Sequence, residues 1–408
     1  MKISPDSPGT FLISRRAALL GLGGVVSLGR ASLALAAAPT EKRLVVVLLR
    51  GALDGLAAVA PYGDPDLAAQ RGALAPVGPG QPEGLLDLGG FYGLHPALAG
   101  LHGMYQANEA LLVHAIAGAT RSRSHFEAQD NLEDGGPEHL AGPRLTSGWL
   151  NRVVTALAGR HAAGSEVAMA VGTALPLLLR GPASVGTWLP ATAQHPAPSL
   201  YAQIAALHRA DPLTGPAVAE GLRDRGFSDA VLAGTEAAKN RYAFAALAHS
   251  AGKLLADPKG PRIAALEIGG WDTHAGQAPR LAGALRALDG GLVGLKDGLG
   301  AAWGQTVVLV LTEFGRTVAI NGTGGTDHGT ATVAFALGGA VAGGKVRATW
   351  PGLARGQLLE NRDLAPTADL RSLTKAVLAG HMGLSAAALA QVFPASGEVA
   401  AMAGVLRG

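Results

Sequence analysis

The chain has 408 residues, 48% of them hydrophobic and only 15% charged. This much apolar sequence supports a large buried core and excludes disordered, collagen-like and coiled-coil classes, which have less apolar mass or more charge. No cysteine is present, so disulfides, thiolate metal sites and cysteine nucleophiles are excluded too. The formal net charge is +3, and residues 1–36 supply all of it, through Lys2, Arg15, Arg16 and Arg30 against Asp6. The remainder is neutral, which leaves no basic footprint for a nucleic-acid partner.

Ser14-Arg15-Arg16 precedes an apolar, glycine-rich run from Ala17 to Gly29, and Ala34-Leu35-Ala36 follows as a small-x-small pattern. A charged segment, a short apolar run and such a site make a secretory signal. The paired arginines match a twin-arginine signal, read by the Tat export machinery. The run falls short of the roughly 20 residues that a membrane span needs. Residues 1–36 are therefore expected to be a Tat signal peptide, and the mature protein a periplasmic or secreted one without a stable span. An uncleaved tether is the alternative. Tat passengers generally fold before export, often around a metal, which favours a metal site.

The mature chain reads in order as a strand at Leu44–Leu49, a helix at Pro96–Asn108, a strand at Leu111–Ile116 and a helix at Ser147–Leu157. A strand at Val167–Val171, helices at Leu200–Leu207 and Thr235–Leu255, and a strand at Ile263–Ile268 follow. The helix Gln277–Leu299, strands at Thr306–Thr312 and Thr332–Gly338, and a helix at Asp369–Leu378 complete the set. The strand runs are apolar almost throughout, as in a parallel sheet covered on both faces. Their alternation with helices predicts an α/β fold, a three-layer α/β/α sandwich with a mainly parallel sheet. Proline and glycine concentrate at 72–90 and 181–199. The second stretch opens an expected excursion from the sheet, with 181–257 read as a helical insertion in a single domain over 37–408.

Ligands of open parallel sheets bind beyond the carboxyl ends of the strands. In this chain five strand-associated loops carry ionisable groups: Arg50–Gly55 with Asp54, Arg121–Phe126, Gly269–His274, Glu313–Thr317 and Gly325–Gly329. Asp272 and His274, two residues apart after Gly-Gly, point to one side of an extended turn, and the pair suits a divalent metal. A helix cap at Asp272 is the plainer alternative. Asp327-His328 lies between glycines, as a ligand pair or as a turn aspartate beside an exposed histidine. Glu313 directly follows a buried strand and would pair with Arg316, whose planar fork could instead grip an anion. Asp54 is a ligand or a turn residue. Arg123-Ser124-His125 is the candidate nucleophile region, with Ser124 as a hydroxyl activated near a metal or as a helix cap. No Gly-x-Ser-x-Gly elbow, dinucleotide fingerprint or Walker A loop is present.

Taken together, LVVVLLRGALDGL from Leu44, GLHPAL from Gly93, RSHFEAQD from Arg123, GGWDTH from Gly269, LTEFGRT from Leu311, GTDHG from Gly325, DLRSL from Asp369 and Phe393-Pro394 resemble the DUF1501 family. The resemblance runs over essentially the whole mature chain. It implies an alkaline phosphatase-like or sulfatase-like fold and cleavage of phosphate or sulfate esters, small anionic substrates, at divalent metal such as zinc, manganese or calcium. It further implies Ser124 and His125 in the catalytic region, Asp272 and His274 as one ligand group, and Glu313, Asp327 and His328 as a second. Asp54 would lie nearby and Arg316 would bind the ester's anion. The chain departs from the superfamily pattern in three places: Arg50–Leu53 intervene before Asp54, the ligand pair is Asp-x-His, and Glu313-Phe314-Gly315-Arg316 follows the late strand. A non-catalytic envelope binding or scaffold protein on the same fold is the alternative function.

Overall fold

Six consecutive aliphatic residues, Leu44–Leu49, find no place at a surface, and the computed structural model buries them at the centre of a nine-stranded sheet. The described residues are 40–138, 145–158, 167–172, 174–189, 206–208, 211, 218 and 243–408. The expected signal peptide, nearly all of the expected helix Leu200–Leu207 and most of the expected 181–257 insertion lie outside them.

The strands of this sheet are β1 (Arg43–Arg50), β2 (Ala110–Ala117), β3 (Ala168–Val171), β4 (Gly186–Trp188), β5 (Ile263–Gly269), β6 (Thr306–Thr312), β7 (Thr332–Leu337), β8 (Lys345–Arg347) and β9 (Ala368–Asp369). Their order is β8-β2-β7-β6-β1-β5-β3-β4, with β9 pairing β2. β1 is parallel to β5 on one side, with Leu44 opposite Ile263, and to β6 on the other, with Arg43 opposite Thr306. β7 alone runs antiparallel, against both β2 and β6. The sheet is thus mainly parallel, as expected. The direction of β7 departs from the expected parallel pattern. Parallel neighbours need a crossover, usually helical, and residues 313–331 contain no helix. The chain therefore leaves β6 and enters β7 at the same end of the sheet.

Among the described residues the longer helices are α1 (Ala99–Gln106), α2 (His125–Asp134), α3 (Trp149–Ala158), α4 (Phe244–Ala256), α5 (Gln277–Leu299), α6 (Leu370–Gly380) and α7 (Ala386–Val392), beside the short helices Gly55–Ala58 and Leu67–Arg71. Alternate residues of β1 enter opposite layers. Val45, Val47 and Leu49 pack with α1, α4 and the α5 stripe Leu281, Leu285, Leu288, Leu292 and Leu295. Leu44, Val46 and Leu48 pack with Leu150 and Val153 of α3, Leu373 and Val377 of α6, and Val392 of α7. Two helical layers on one sheet make the three-layer α/β/α sandwich. The stretch expected to leave the core at 181 first supplies β4, paired parallel to Met169–Val171. Among the described residues no helix is long and apolar enough to cross a membrane.

Two histidines are buried in this frame. His114 of β2 bonds the Val59 carbonyl at 2.9 Å, and His381, just after α6, bonds the Arg43 carbonyl at 2.9 Å. Burial lowers each from the ordinary 6.5 to about 4. Both are neutral in the folded protein but take up protons at higher pH once unfolded. Their stabilisation is therefore complete above pH 6.5 and is lost as pH falls toward 4, at up to about 1.4 kcal/mol per pH unit for each. Denaturant unfolding at steps across that window is expected to show falling stability, with a shallower slope in His114→Gln. An identical slope in wild type and variant would refute the assignment for His114.

Candidate metal centre

The ends of five neighbouring strands meet at one edge of the sheet. β1 delivers Gly51, β5 delivers Asp272 and His274, β6 delivers Glu313 and Arg316, and residues entering β7 deliver Asp327 and His328. The segment after β2 delivers Arg123 and, at the start of α2, His125. Two glycines allow this crowding. Gly51 has φ +119°, and a Cβ there would lie 2.7 Å from the Asp272 nitrogen. A Cβ on Gly325 would lie 2.4 Å from the His274 carbonyl.

His125, Asp272 and His328 each offer a ligand atom, all within 4.8 Å of one another. The Nε2 atoms of His125 and His328 are 3.0 Å apart. His274 Nε2 lies 3.0 Å from His328 Nε2 and 3.0 Å from Asp272 Oδ1. His328 Nε2 is 3.3 Å from the same oxygen. The structure thus gathers Asp272, His274 and His328 from the expected ligands and adds His125, which had been placed in the catalytic region.

The other ring nitrogens are all engaged. His125 Nδ1 lies 2.8 Å from Glu313 Oε1, His274 Nδ1 lies 3.0 Å from Asp327 Oδ1, and His328 Nδ1 lies 2.9 Å from the Arg123 carbonyl oxygen. Each of these partners accepts a hydrogen bond, so each Nδ1 donates. A neutral ring with its proton on Nδ1 has a lone pair on Nε2. The lone pairs of His125 and His274 both face that of His328 beside a carboxylate, an arrangement that either a proton shared between facing nitrogens or a bound cation satisfies. The donor set, imidazole nitrogens with a carboxylate, fits a divalent cation. Tetrahedral ligands about 2.0–2.1 Å from zinc stand roughly 3.3 Å from one another.

Glu313 and Asp327 therefore sit behind the histidines instead of joining the convergent set. The Glu313 side chain is fully buried. Its Oε1 also accepts from Gly51 N at 2.8 Å and Gln129 Nε2 at 3.0 Å, and Thr312 Oγ1 lies 2.8 Å from Oε2. Burial alone would push its carboxyl up, but the bonds from His125 and Gln129 outweigh burial and hold it below the usual range. Asp327 is held low by its bonds from Asn321 and His274. At Asp272 the upward push of burial is outweighed by Arg316. The bond to Glu313 raises His125, whereas burial and the neighbouring His125 lower His328.

Arg316 takes a different place from the expected anion grip. Its side chain is buried, with Nη1 on Asp272 Oδ1 at 2.6 Å, Nε on Thr326 Oγ1 at 3.2 Å and Nη2 on the Thr326 carbonyl. It orients the Asp272 carboxylate. Asp54 stands outside the convergent set as well. It is 1% exposed, caps the short helix Gly55–Ala58 through Ala57 N, pairs with buried Arg71 and accepts from Gln277 Nε2 at 2.6 Å. Gln277 Oε1 in turn receives Thr273 and Thr326, so Asp54 underlies Arg316 through a chain of bonds. Ser124 precedes α2 but makes no side-chain cap bond to the helix, and its hydroxyl has no hydrogen-bond partner among the described residues.

Sequence reasoning did not single out Gln129, Phe314, Thr326, Gln277, Asn321 or the Arg123 carbonyl. Phe314 is buried, with its ring 4.9 Å from that of His125 and 5.3 Å from that of His328, and gives the centre an apolar floor. It lies inside the Glu313–Arg316 motif, and Gln129 lies one turn after His125, which is the available signal.

Residues 107–393 match the family described as Protein of unknown function (DUF1501), and the chain belongs to that family. Among curated proteins no sequence matches it. Among solved structures it is similar to Ps i-CgsB in complex with k-i-k-neocarrahexaose, at TM-score 0.36 and 11% identity over 73% of this chain and 66% of that one. It is similar to the C-terminal periplasmic domain of EcEptC from Escherichia coli in complex with Zn, at TM-score 0.35 and 10% identity over 74% of both chains. A protein in the alkaline phosphatase superfamily from Vibrio parahaemolyticus is similar at TM-score 0.32 and 10% identity, over 78% of this chain and 69% of that one.

Removing the Asp54 carboxylate would leave the Arg71 guanidinium, itself 1% exposed, without its counter-charge. Asp54→Asn is expected to destabilise the fold by about 3–5 kcal/mol in urea unfolding. A loss below about 1 kcal/mol would show that the pair is not the anchor described.

Proposed function

We propose that this protein is a metal-dependent hydrolase of phosphate or sulfate esters, exported through the Tat route that its paired arginines suggest. The observation that carries the reading is the convergence of the His125, His274 and His328 Nε2 atoms on Asp272, with every Nδ1 locked by an acceptor. These four residues would hold one divalent cation. Zinc suits three imidazoles and a carboxylate best, with manganese as the harder alternative, whereas calcium prefers an all-oxygen shell.

When bound, such an ion supplies a Lewis acid for an ester oxygen and lowers the pKa of water or a hydroxyl beside it. The chain's own groups do the rest. Glu313, Asp327 and the Arg123 carbonyl fix ring tautomer and orientation, the work of outer partners in metal sites. Arg316 fixes the Asp272 carboxylate. Phe314 keeps water from beneath the rings. Ser124, with its hydroxyl uncommitted and His125 as its neighbour, is the candidate nucleophile. Solvent reaches the centre from the side of Asp272 and His274, whose side chains are each 44% exposed.

Elemental analysis of the purified chain is expected to find one equivalent of zinc or manganese, lost in Asp272→Ala while the circular dichroism spectrum is retained. Glu313→Gln keeps the ligands but weakens the His125 bond, and is expected to bind the metal about 10–100-fold more weakly. Ester hydrolysis should vanish with the metal in Asp272→Ala. Wild-type protein free of metal when purified without chelator, or undiminished turnover in Asp272→Ala, would overturn the proposal and favour the envelope binding protein instead.

A further inference from the structure

A cleft of about 360 Å³ lies against the metal centre, with Asp327 as the shared wall. Gln70, Thr317, Arg355, Asn361 and Arg362 line it with Asp327. Most of these polar groups are already engaged. Asp327 Oδ1 faces His274 Nδ1 at 3.0 Å and Asn321 Nδ2 at 3.1 Å. Gln70 Nε2 donates to the Leu353 carbonyl at 3.2 Å, and Thr317 Oγ1 to the Ala319 carbonyl at 2.9 Å. Arg362 donates to the His328 carbonyl at 2.8 Å and pairs with Asp363 at 3.2 Å. The Arg355 guanidinium and the Asn361 amide have no hydrogen bond or ion pair among the described residues. Among the described lining residues, Arg355 and Asn361 are thus an uncommitted cation and amide, both solvent-exposed at the cleft's rim.

The segment that carries them is tied to the centre. Arg123, whose carbonyl orients His328, pairs with both Glu360 and Asp363 at 2.7 Å. Arg362 grips the His328 backbone from the same segment. Glu360 and Asn361 both have φ +56°, a conformation that L side chains seldom adopt, so the path past the cleft is held by these tethers. Arg355 itself is solvent-exposed and opens the short helix Arg355–Gln357, five residues before these tethers.

We propose that the cleft receives a second anionic group of the substrate, a carboxylate, phosphate or sulfate, paired with Arg355 while the reacting ester lies at the metal centre. This rests on the ester-hydrolase reading and narrows it: the preferred substrates carry an acid group besides the ester. A planar guanidinium suits such groups because its N–H donors match two oxygens at once. Asn361 supplies a further donor.

The test compares 4-nitrophenyl phosphate with 3-carboxy-4-nitrophenyl phosphate, or the corresponding sulfates, on wild type and Arg355→Gln, with metal content measured in both proteins. Wild type is expected to show a KM at least about fivefold lower for the carboxylated ester, the scale of one ion pair in a partly solvated cleft. In Arg355→Gln that ratio should fall toward one with metal content retained, and Arg355→Lys should restore part of it. No preference in wild type, or a preference that survives in Arg355→Gln, overturns the proposal. If the protein holds metal but turns over neither ester, calorimetric dissociation constants for the two esters read the same ratio. If it holds no metal, the hydrolase reading fails, and an Arg355-dependent affinity gap still supports the cleft as an anion site.

Discussion

His328 Nε2 stands 3.0 Å from the Nε2 atoms of both His125 and His274, beside the Asp272 carboxylate, and the surrounding structure is arranged to hold the three rings there. Each ring is pinned from behind. Glu313 sits in a bed of donors from His125, Gln129 and Gly51, with the Thr312 hydroxyl against its second oxygen, so its charge is supported without water. Asp327 is steadied by Asn321, and the Arg123 carbonyl by a backbone that Asp363 and Glu360 anchor. The cost of holding like groups together is met by hydrogen bonds one layer out, a division of labour that metal sites require.

The topology makes this possible with few residues. Four parallel strands bring their carboxyl ends to one edge, and the antiparallel β7 begins at that same edge. The segment joining β6 to β7 therefore contributes on its way out, with Glu313 and Arg316, and on its way back, with Asp327 and His328. Arg316 and His328 form a backbone bridge across it. A helical crossover would have carried the returning half to the opposite end of the sheet.

Much of the fold was legible because strands covered on both faces need unbroken apolar runs. Thr306–Thr312 and Gln277–Leu299 match the observed elements at both ends, and Leu44–Leu49 falls one residue short at each. The small strands β8 and β9, of three and two residues, carry no such signal. The direction of β7 depends on what the preceding connection lacks, which an apolar run does not encode. In the site the loops were visible as polar residues after apolar runs, but their division of roles was not. Glu313 and His125 are 188 residues apart, and nothing local distinguishes a carboxylate that faces a metal from one that faces the back of an imidazole. Asp54 looked like a ligand because it follows the central strand. Its true partner, Arg71, belongs to a short helix whose sequence does not mark it as buried.

The central position of β1 also bears on how the chain folds. β1 is the first strand among the described residues, yet its two neighbours begin at Ile263 and Thr306. At synthesis rates of about 5–20 residues per second, its second edge stays unpaired for roughly 10–50 seconds after β1 is made. Such long-range pairing slows folding and exposes an all-aliphatic strand meanwhile. A chain cut short before β6 would keep that edge bare permanently, so the last quarter of the sequence turns a sticky fragment into a sheet whose central strand is paired on both sides.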